Sequence, residues 1–310
     1  MYQAYFGLHE LPFDLTPNPR YLVLTPSHEE ALSNLQYGIT ARKGITLLLG
    51  EAGTGKTTLL RKALSMKTRS GDASGGGWLY LNNPTLTREE FLDVLATGFQ
   101  LGPAAAGSKA QLLRELQELL EDRHRRGLVS ALIVDEAQSL PRELLEELRL
   151  LVNIELDTHK LLPLVLAGQP ELGARLNEPG LRQMKQRIGL RCHLSAFTLA
   201  ETASYIAARI RLAGGDAGAI FTRDAVIAVH RAAQGIPRTI NVICDNALLA
   251  GYATGERPVH VDLVEEVCAD FDLAAGREGS SQQPAGRHLA FPPASGVPAA
   301  REEAAAHRRG

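Results

Sequence analysis

Between an apolar run at Ile45 to Leu49 and a helix-compatible stretch at Thr58 to Leu64, the chain carries Gly50-Glu51-Ala52-Gly53-Thr54-Gly55-Lys56-Thr57. No other feature limits the fold as strongly, because the spacing G-x-x-x-x-G-K-[ST] works only where a strand ends in a glycine loop that opens a helix. The glycines let backbone N–H groups curl around phosphate oxygens at the helix N-terminus. Lys56 then neutralises charge on the β- and γ-phosphates, and the Thr57 hydroxyl is a ligand for Mg²⁺. The predicted nucleotide-contacting residues are Gly50, Glu51, Ala52, Gly53, Thr54, Gly55, Lys56, Thr57 and Thr58.

A second apolar run, Ala131-Leu132-Ile133-Val134, delivers Asp135 and Glu136 at its C-terminal end, where ligands of open α/β sheets bind. Two adjacent carboxylates divide the work: Asp135 joins Thr57 in holding the metal, and Glu136 polarises a water for attack on the γ-phosphate. That pairing favours hydrolysis of ATP over phosphoryl transfer to a second substrate. A third run, Leu164 to Ala167, ends in Gly168-Gln169-Pro170 and places Gln169 to sense the γ-phosphate or the attacking water. Leu181 to Ile188 concentrates positive charge ahead of a further strand at Leu190 to Leu194. From there Arg187, in preference to Arg182, is positioned to reach a γ-phosphate bound by a neighbouring subunit. Arg238 follows Gly235-Ile236-Pro237 near the first turn of a helix, where a cation opposes the helix dipole and calls for an anion such as the γ-phosphate.

Strand and helix signals alternate as they do in a parallel sheet wrapped by helices. Strands are predicted at Ile45 to Leu49, Trp78 to Leu81, Leu128 to Val134, Leu161 to Ala167 and Leu190 to Leu194. Thr87-Arg88-Glu89-Glu90 and Ser108-Lys109-Ala110-Gln111 fit capping boxes, and Pro141 suits a first helical turn. After about Ser195 only helix signals remain, near 200–213, 223–233, 238–250 and 261–270. The expected organisation is an N-terminal segment over 1–41, an α/β nucleotide-binding domain over 42–195, a small all-helical lid over 196–272 and a disordered polar tail over 273–310. A Gly/Ser-rich connector is expected over 70–77.

Composition closes off other classes. With 310 residues, 45% of them apolar, the chain furnishes a full core. Lys and Arg number 33 against 35 Asp and Glu, so any attraction to polyanions must be local. Cys192, Cys244 and Cys268 lack Cys-x-x-Cys spacing, which speaks against a disulfide framework or a zinc site. Neither an export signal nor an apolar run of about 20 residues is visible, so the expected location is the cytoplasm.

Taken together the motifs resemble an AAA+ ATPase of the ExeA-like (general secretion pathway protein A) family. The likeness is carried by Tyr5-Phe6-Gly7-Leu8, the stretch Pro12 to Tyr21, the Gly50 to Thr58 loop, Asp135-Glu136-Ala137-Gln138, Gly168-Gln169-Pro170 and Gly235-Ile236-Pro237-Arg238, and it covers about residues 1–272. The resemblance implies a lid packed over ATP and Mg²⁺, a homo-oligomer with active sites between subunits, and an opening segment, including Pro19 and Tyr21, packed near the adenine. Secretion members typically continue into a membrane span and a peptidoglycan-binding module. The short polar tail here is instead similar to ExeA-like ATPases of exopolysaccharide and exosortase gene clusters, and to ATPases that assist transposases. The leading expectation is therefore an ATPase of an envelope secretion or polysaccharide-export machine, recruited to the inner membrane by a protein partner. The alternative is an ATP-dependent adaptor on duplex DNA, for which Arg123-His124-Arg125-Arg126 and the basic region from Arg182 to Arg191 speak.

Overall fold

In a computed structural model of the chain, residues 1–16, 19–65, 77–82, 85–156 and 159–273 are described, the side chain of Pro19 excepted. The expected tail beyond 273, and the expected connector up to residue 76, lie outside the described residues. Strands β1 (Ile45–Gly50), β2 (Gly77–Leu81), β3 (Ser130–Val134), β6 (Leu164–Gly168) and β7 (Ile188–Leu194) form one sheet in the order β2-β3-β6-β1-β7. Every pairing in it is parallel. A small antiparallel hairpin, β4 (Glu155–Leu156) with β5 (His159–Lys160), has no counterpart in the sequence prediction because two-residue strands leave no periodic signal.

Strands β1, β3 and β6 are buried on both faces, which is why they read as unbroken apolar runs rather than alternating ones. Side chains still alternate. Leu47, Leu132, Val134 and Leu166 face α4 (Arg88–Gly98), α6 (Lys109–Arg125) and α7 (Arg142–Leu151). Leu48, Ile133, Val165 and Ala167 face α2 (Pro26–Thr40) and α3 (Lys56–Ser65). Helix α4 begins with the full capping box, Thr87 and Glu90 bonding each other's backbone N–H. At α6 only half of the expected box forms: Ser108 caps the Gln111 N–H, while the Gln111 amide turns to Glu115 one helical turn on, at 2.7 Å.

The register fixes which ends of the strands meet. Leu49 of β1 lies beside Gly168 of β6, and Val134 of β3 beside Leu166 of β6, so the glycine loop, Asp135 and Gln169 emerge at one edge. Ile45 pairs with Ile188 and donates its N–H to the Arg187 carbonyl at the opposite edge. Six residues of strand at about 3.3 Å per residue separate those edges by roughly 17 Å.

Helices α10 (Leu199–Leu212), α11 (Arg223–Ala233), α12 (Pro237–Thr254) and α13 (Val261–Asp270) build a second apolar core. The opening of the chain shares it. Tyr2 and Phe6, on the short helix α1 (Tyr2–Phe6), and Leu8 and Phe13 are buried among lid side chains. The Tyr2 hydroxyl also hydrogen-bonds Asp245 of α12. The first residues are thus bound into the helical core, while α2 packs on the sheet. The remaining short helices are α5 (Pro103–Gly107), α8 (Pro170–Arg175) and α9 (Arg182–Lys185). No helix among the described residues is long and apolar enough to cross a membrane.

Candidate active site

At the edge where β1 and β3 end, a cleft of about 430 Å³ opens between the glycine loop and the lid. Gly53, Thr54, Gly55, Lys56, Thr57 and Thr58 line it, together with Glu136 and Arg238. Gly50, Glu51 and Ala52 form the rising limb of the loop. Lys56 is buried, and its Nζ donates to the carbonyls of Gly50 at 2.9 Å and Glu51 at 3.1 Å. These carbonyls are neutral acceptors, so among the described residues the ammonium meets no counter-charge, a place that a phosphate oxygen would fit.

Thr57 Oγ1 donates to Asp135 Oδ2 at 2.6 Å, although 78 residues separate the two in sequence. A hydroxyl and a carboxylate oxygen meeting beside the glycine loop are hard-oxygen donors of the kind that Mg²⁺ takes. The residues therefore fit the ion. Tyr80, from β2, also donates to Asp135 Oδ2 at 2.7 Å, and burial pushes its own phenol well above the usual range. Asp135 is fully buried and receives the Glu136 N–H on its other oxygen at 3.0 Å.

The carboxylate of Glu136 accepts from Gln138 Nε2 at 2.6 Å. Gln169 is the N-cap of α8 and does not line the cleft; its backbone N–H donates to Gln138 Oε1 at 3.2 Å. Arg238 stands exposed in the first turn of α12 and lines the cleft, and among the described residues no carboxylate pairs with it. Its place is set by Gly235. The N–H of Phe197 donates to the Gly235 carbonyl at 2.8 Å, and a Cβ on Gly235 would lie 2.1 Å from the Phe197 carbonyl oxygen. With φ at 73°, following Gln234 in the same left-handed region, Gly235 turns the chain sharply from α11 into Pro237, the first residue of α12.

Arg187 is not part of this cleft. It sits at the far edge of the sheet, half-buried, with its guanidinium on Asn153. Arg182 is exposed in α9. Tyr21 does line the cleft, beside Leu22 and Val23.

Several contributors escaped the sequence reading. Arg209 of α10 is buried and donates to the carbonyl of Pro12 at 2.5 Å and to the Tyr205 hydroxyl at 2.6 Å. Its Cζ lies 4.9 Å from the centre of the Tyr21 ring, so it pins the opening segment against the lid where both wall the cleft. Tyr205 in turn donates to Asn241 Oδ1 at 2.9 Å. His28 is buried between Thr25 Oγ1 at 2.7 Å and the Thr54 carbonyl at 3.0 Å. Since a carbonyl only accepts, Nε2 carries the proton and Nδ1 accepts from Thr25. Burial pulls the imidazole below its ordinary pKa. The sole sequence hint for Arg209 was a charge on the apolar face of an amphipathic helix, next to Tyr205, Ile206 and Ile210.

A family model described as an AAA domain matches residues 39–176. General secretion pathway protein A of Aeromonas hydrophila is 42% identical over 276 residues, 89% of this chain and 48% of that protein, so the chain spans about half of that relative's length. Among solved structures, the Aeropyrum pernix ORC2 protein in its ADPNP-ADP complexes superposes with a TM-score of 0.62 at 20% identity, covering 88% of this chain and 74% of that one. Cdc6p from Pyrobaculum aerophilum gives 0.62 at 20% identity, with 86% and 72% covered. The Thermotoga maritima RuvB Holliday junction branch migration motor gives 0.52 at 18% identity, with 78% and 68% covered. At these identities the structures share the fold.

Proposed function

We propose that this chain, whose residues 39–176 match an AAA-domain model and which is 42% identical over 276 residues to general secretion pathway protein A, hydrolyses ATP and uses the cycle to switch its self-association. The observation that carries the reading is the convergence of Lys56, Thr57, Asp135 and Glu136 under Arg238 at one end of the sheet. In this reading the loop N–H groups and Lys56 cradle the phosphates, and Thr57 and Asp135 hold Mg²⁺. The ion, when bound, neutralises charge on the phosphate oxygens. Glu136 takes the proton of the attacking water, and Arg238 pairs with the γ-phosphate from the lid side. Gln169 acts from the end of β6.

Arg187 serves a nucleotide held by a second copy, because roughly 17 Å of strand separates it from its own loop. ATP then bridges two copies and hydrolysis releases the bridge. We assign the switch to the cytoplasm, at an envelope secretion or exopolysaccharide-export machine that recruits it to the inner membrane. An adaptor on duplex DNA is the second reading. It is favoured by Arg42, Lys43, Arg125 and Arg126, which come from the loops and helix ends at the same edge of the sheet as Arg187.

The test is sedimentation of Glu136→Gln protein with Mg-ATP and with Mg-ADP, with and without duplex DNA across a salt series. ATP-dependent assembly that ignores DNA supports the envelope reading. ATP-dependent co-assembly on DNA that weakens with salt moves the function to the adaptor. A protein that holds ATP but stays monomeric in both nucleotides refutes the switch.

A further inference from the structure

Gln138 lies outside the nucleotide cleft, yet it is bonded to Glu136, the carboxylate that lines the cleft beside the glycine loop. We propose that Gln138 is a positioning residue that grips one oxygen of Glu136 so that the other oxygen is aimed at the attacking water. The inference rests on the reading of Glu136 as the residue that activates that water.

Two contacts fix the amide, and a third holds the backbone that carries it. Nε2 donates to Glu136 Oε2 at 2.6 Å, Oε1 accepts the Gln169 N–H at 3.2 Å, and the Gln138 carbonyl accepts from Arg175 Nη1 at 2.5 Å. The partners also dictate which way the amide faces. Flipped, it would set an NH₂ against an N–H and a carbonyl against a carboxylate. The Arg175 contact holds the backbone independently, so changing the side chain need not release the loop.

Glu136 is itself held in an uncommon conformation, with φ 53° and ψ 37° in a residue that is not glycine. Such a backbone persists where its surroundings over-determine it, and here the Asp135 carboxylate takes its N–H while Gln138 takes its side chain. A carboxylate with one oxygen anchored has its rotamer chosen in advance. The second oxygen, to which none of the described residues is seen to donate, is the one left for a proton from water. Gln138 thereby links the end of β6 to the catalytic carboxylate, and Gln169 takes part through its backbone.

The experiment compares Gln138→Met, of similar shape without donor or acceptor, and Gln138→Ala with wild type and Glu136→Gln. ATP turnover is measured at saturating Mg-ATP, and affinity by titration with a fluorescent ATP analogue. Both Gln138 variants should lose about 10- to 100-fold in kcat, the scale of a reacting group displaced by about an ångström. Nucleotide affinity should stay within about twofold, because the lost contact acts on the reaction and not on binding.

Gly168→Ala supplies an independent perturbation. Its Cβ would fall 2.7 Å from Gln138 Oε1 and 2.8 Å from Leu172 Cδ2, pushing on the amide without removing it, and kcat should fall in the same direction. Wild-type or raised kcat in Gln138→Met overturns the proposal. So does a fall in affinity matching the fall in kcat, the mark of a merely structural role. Wild-type turnover in Glu136→Gln would instead overturn the underlying reading of Glu136, an outcome visible without any Gln138 variant.

Discussion

Replacing Arg209 by Met should loosen the opening segment and the nucleotide cleft together. The guanidinium makes two short hydrogen bonds, to the Pro12 carbonyl at 2.5 Å and the Tyr205 hydroxyl at 2.6 Å, and a marginal one to the Asp14 carbonyl at 3.4 Å. Losing two bonds from a charged donor costs about 3 kcal/mol at the low end of their range. The rings of Tyr21, Tyr205 and Phe13, at 4.9, 5.4 and 6.0 Å, add about 1 kcal/mol of cation–π attraction. All three bonds end on neutral oxygens, so removing the cation also relieves a desolvation cost, which leaves a net loss of about 2–3 kcal/mol. At about 2–4 °C per kcal/mol for a fold of this size, the midpoint falls by about 5–10 °C. Thermal unfolding followed by circular dichroism reads this directly. Limited proteolysis should cut the first 25 residues sooner, and ATP affinity should drop because Tyr21, Leu22 and Val23 wall the cleft. Arg209→Lys keeps the charge but not the planar fork, and should recover less than half of the loss. A midpoint within about 2 °C of wild type in Arg209→Met, with unchanged cleavage, would refute the latch.

Lys56→Ala should weaken ATP binding at least about tenfold, the worth of one charged hydrogen bond to phosphate, and an unchanged dissociation constant would remove Lys56 from the phosphate site. Thr57→Val should make turnover depend on far higher Mg²⁺, read by a magnesium titration of ATPase rate; an unaltered curve would show that the hydroxyl is no ligand. Because burial holds the folded His28 pKa low, the unfolded chain takes up that proton first. Stability from this site is full above about pH 6.5 and is lost as pH falls below it. The drop in unfolding midpoint between pH 7.5 and 5.5 should therefore shrink in His28→Gln, and an equal drop would show that the ring is not held neutral. Arg187→Ala should bind ATP but hydrolyse it slowly, and mixing it with Lys56→Ala protein should restore part of the rate. Failure to complement at any ratio would leave action between copies without support.

The residues legible in the sequence are those whose role follows from local spacing. The Gly50 to Thr57 loop declares itself because strand, turn and helix are contiguous, and Asp135 and Glu136 because an apolar strand ends on them. Arg238 was legible for the same reason, although the need for Gly235 beside it comes from Phe197, 38 residues earlier. What stayed hidden depends on partners far along the chain. Tyr80 meets Asp135 across 55 residues, His28 meets Thr54 across 26, and Arg209 reaches Pro12 across 197. Each is a polar group whose neighbours only the tertiary fold supplies, so no periodicity marks it. The burial of Tyr2, Phe6, Leu8 and Phe13 in the helical core was hidden likewise, because a few apolar residues fit either core equally well.

Arg187 shows how topology can narrow what spacing leaves open. A basic residue just before a strand is at the entry end of that strand. Since β7 runs parallel to β1, its entry lies beside Ile45 and not beside Gly50. An arginine so placed cannot approach the phosphates of its own loop without crossing the whole sheet. The same parallel order that builds the glycine-loop site thereby excludes Arg187 from it, and under the proposed function the γ-phosphate it serves would have to be one bound by another copy. A cysteine at position 187, carrying a spin label and paired with labelled ATP, turns this into a distance: within one copy it must exceed the roughly 17 Å length of β1. A shorter distance in dilute monomer would break the argument.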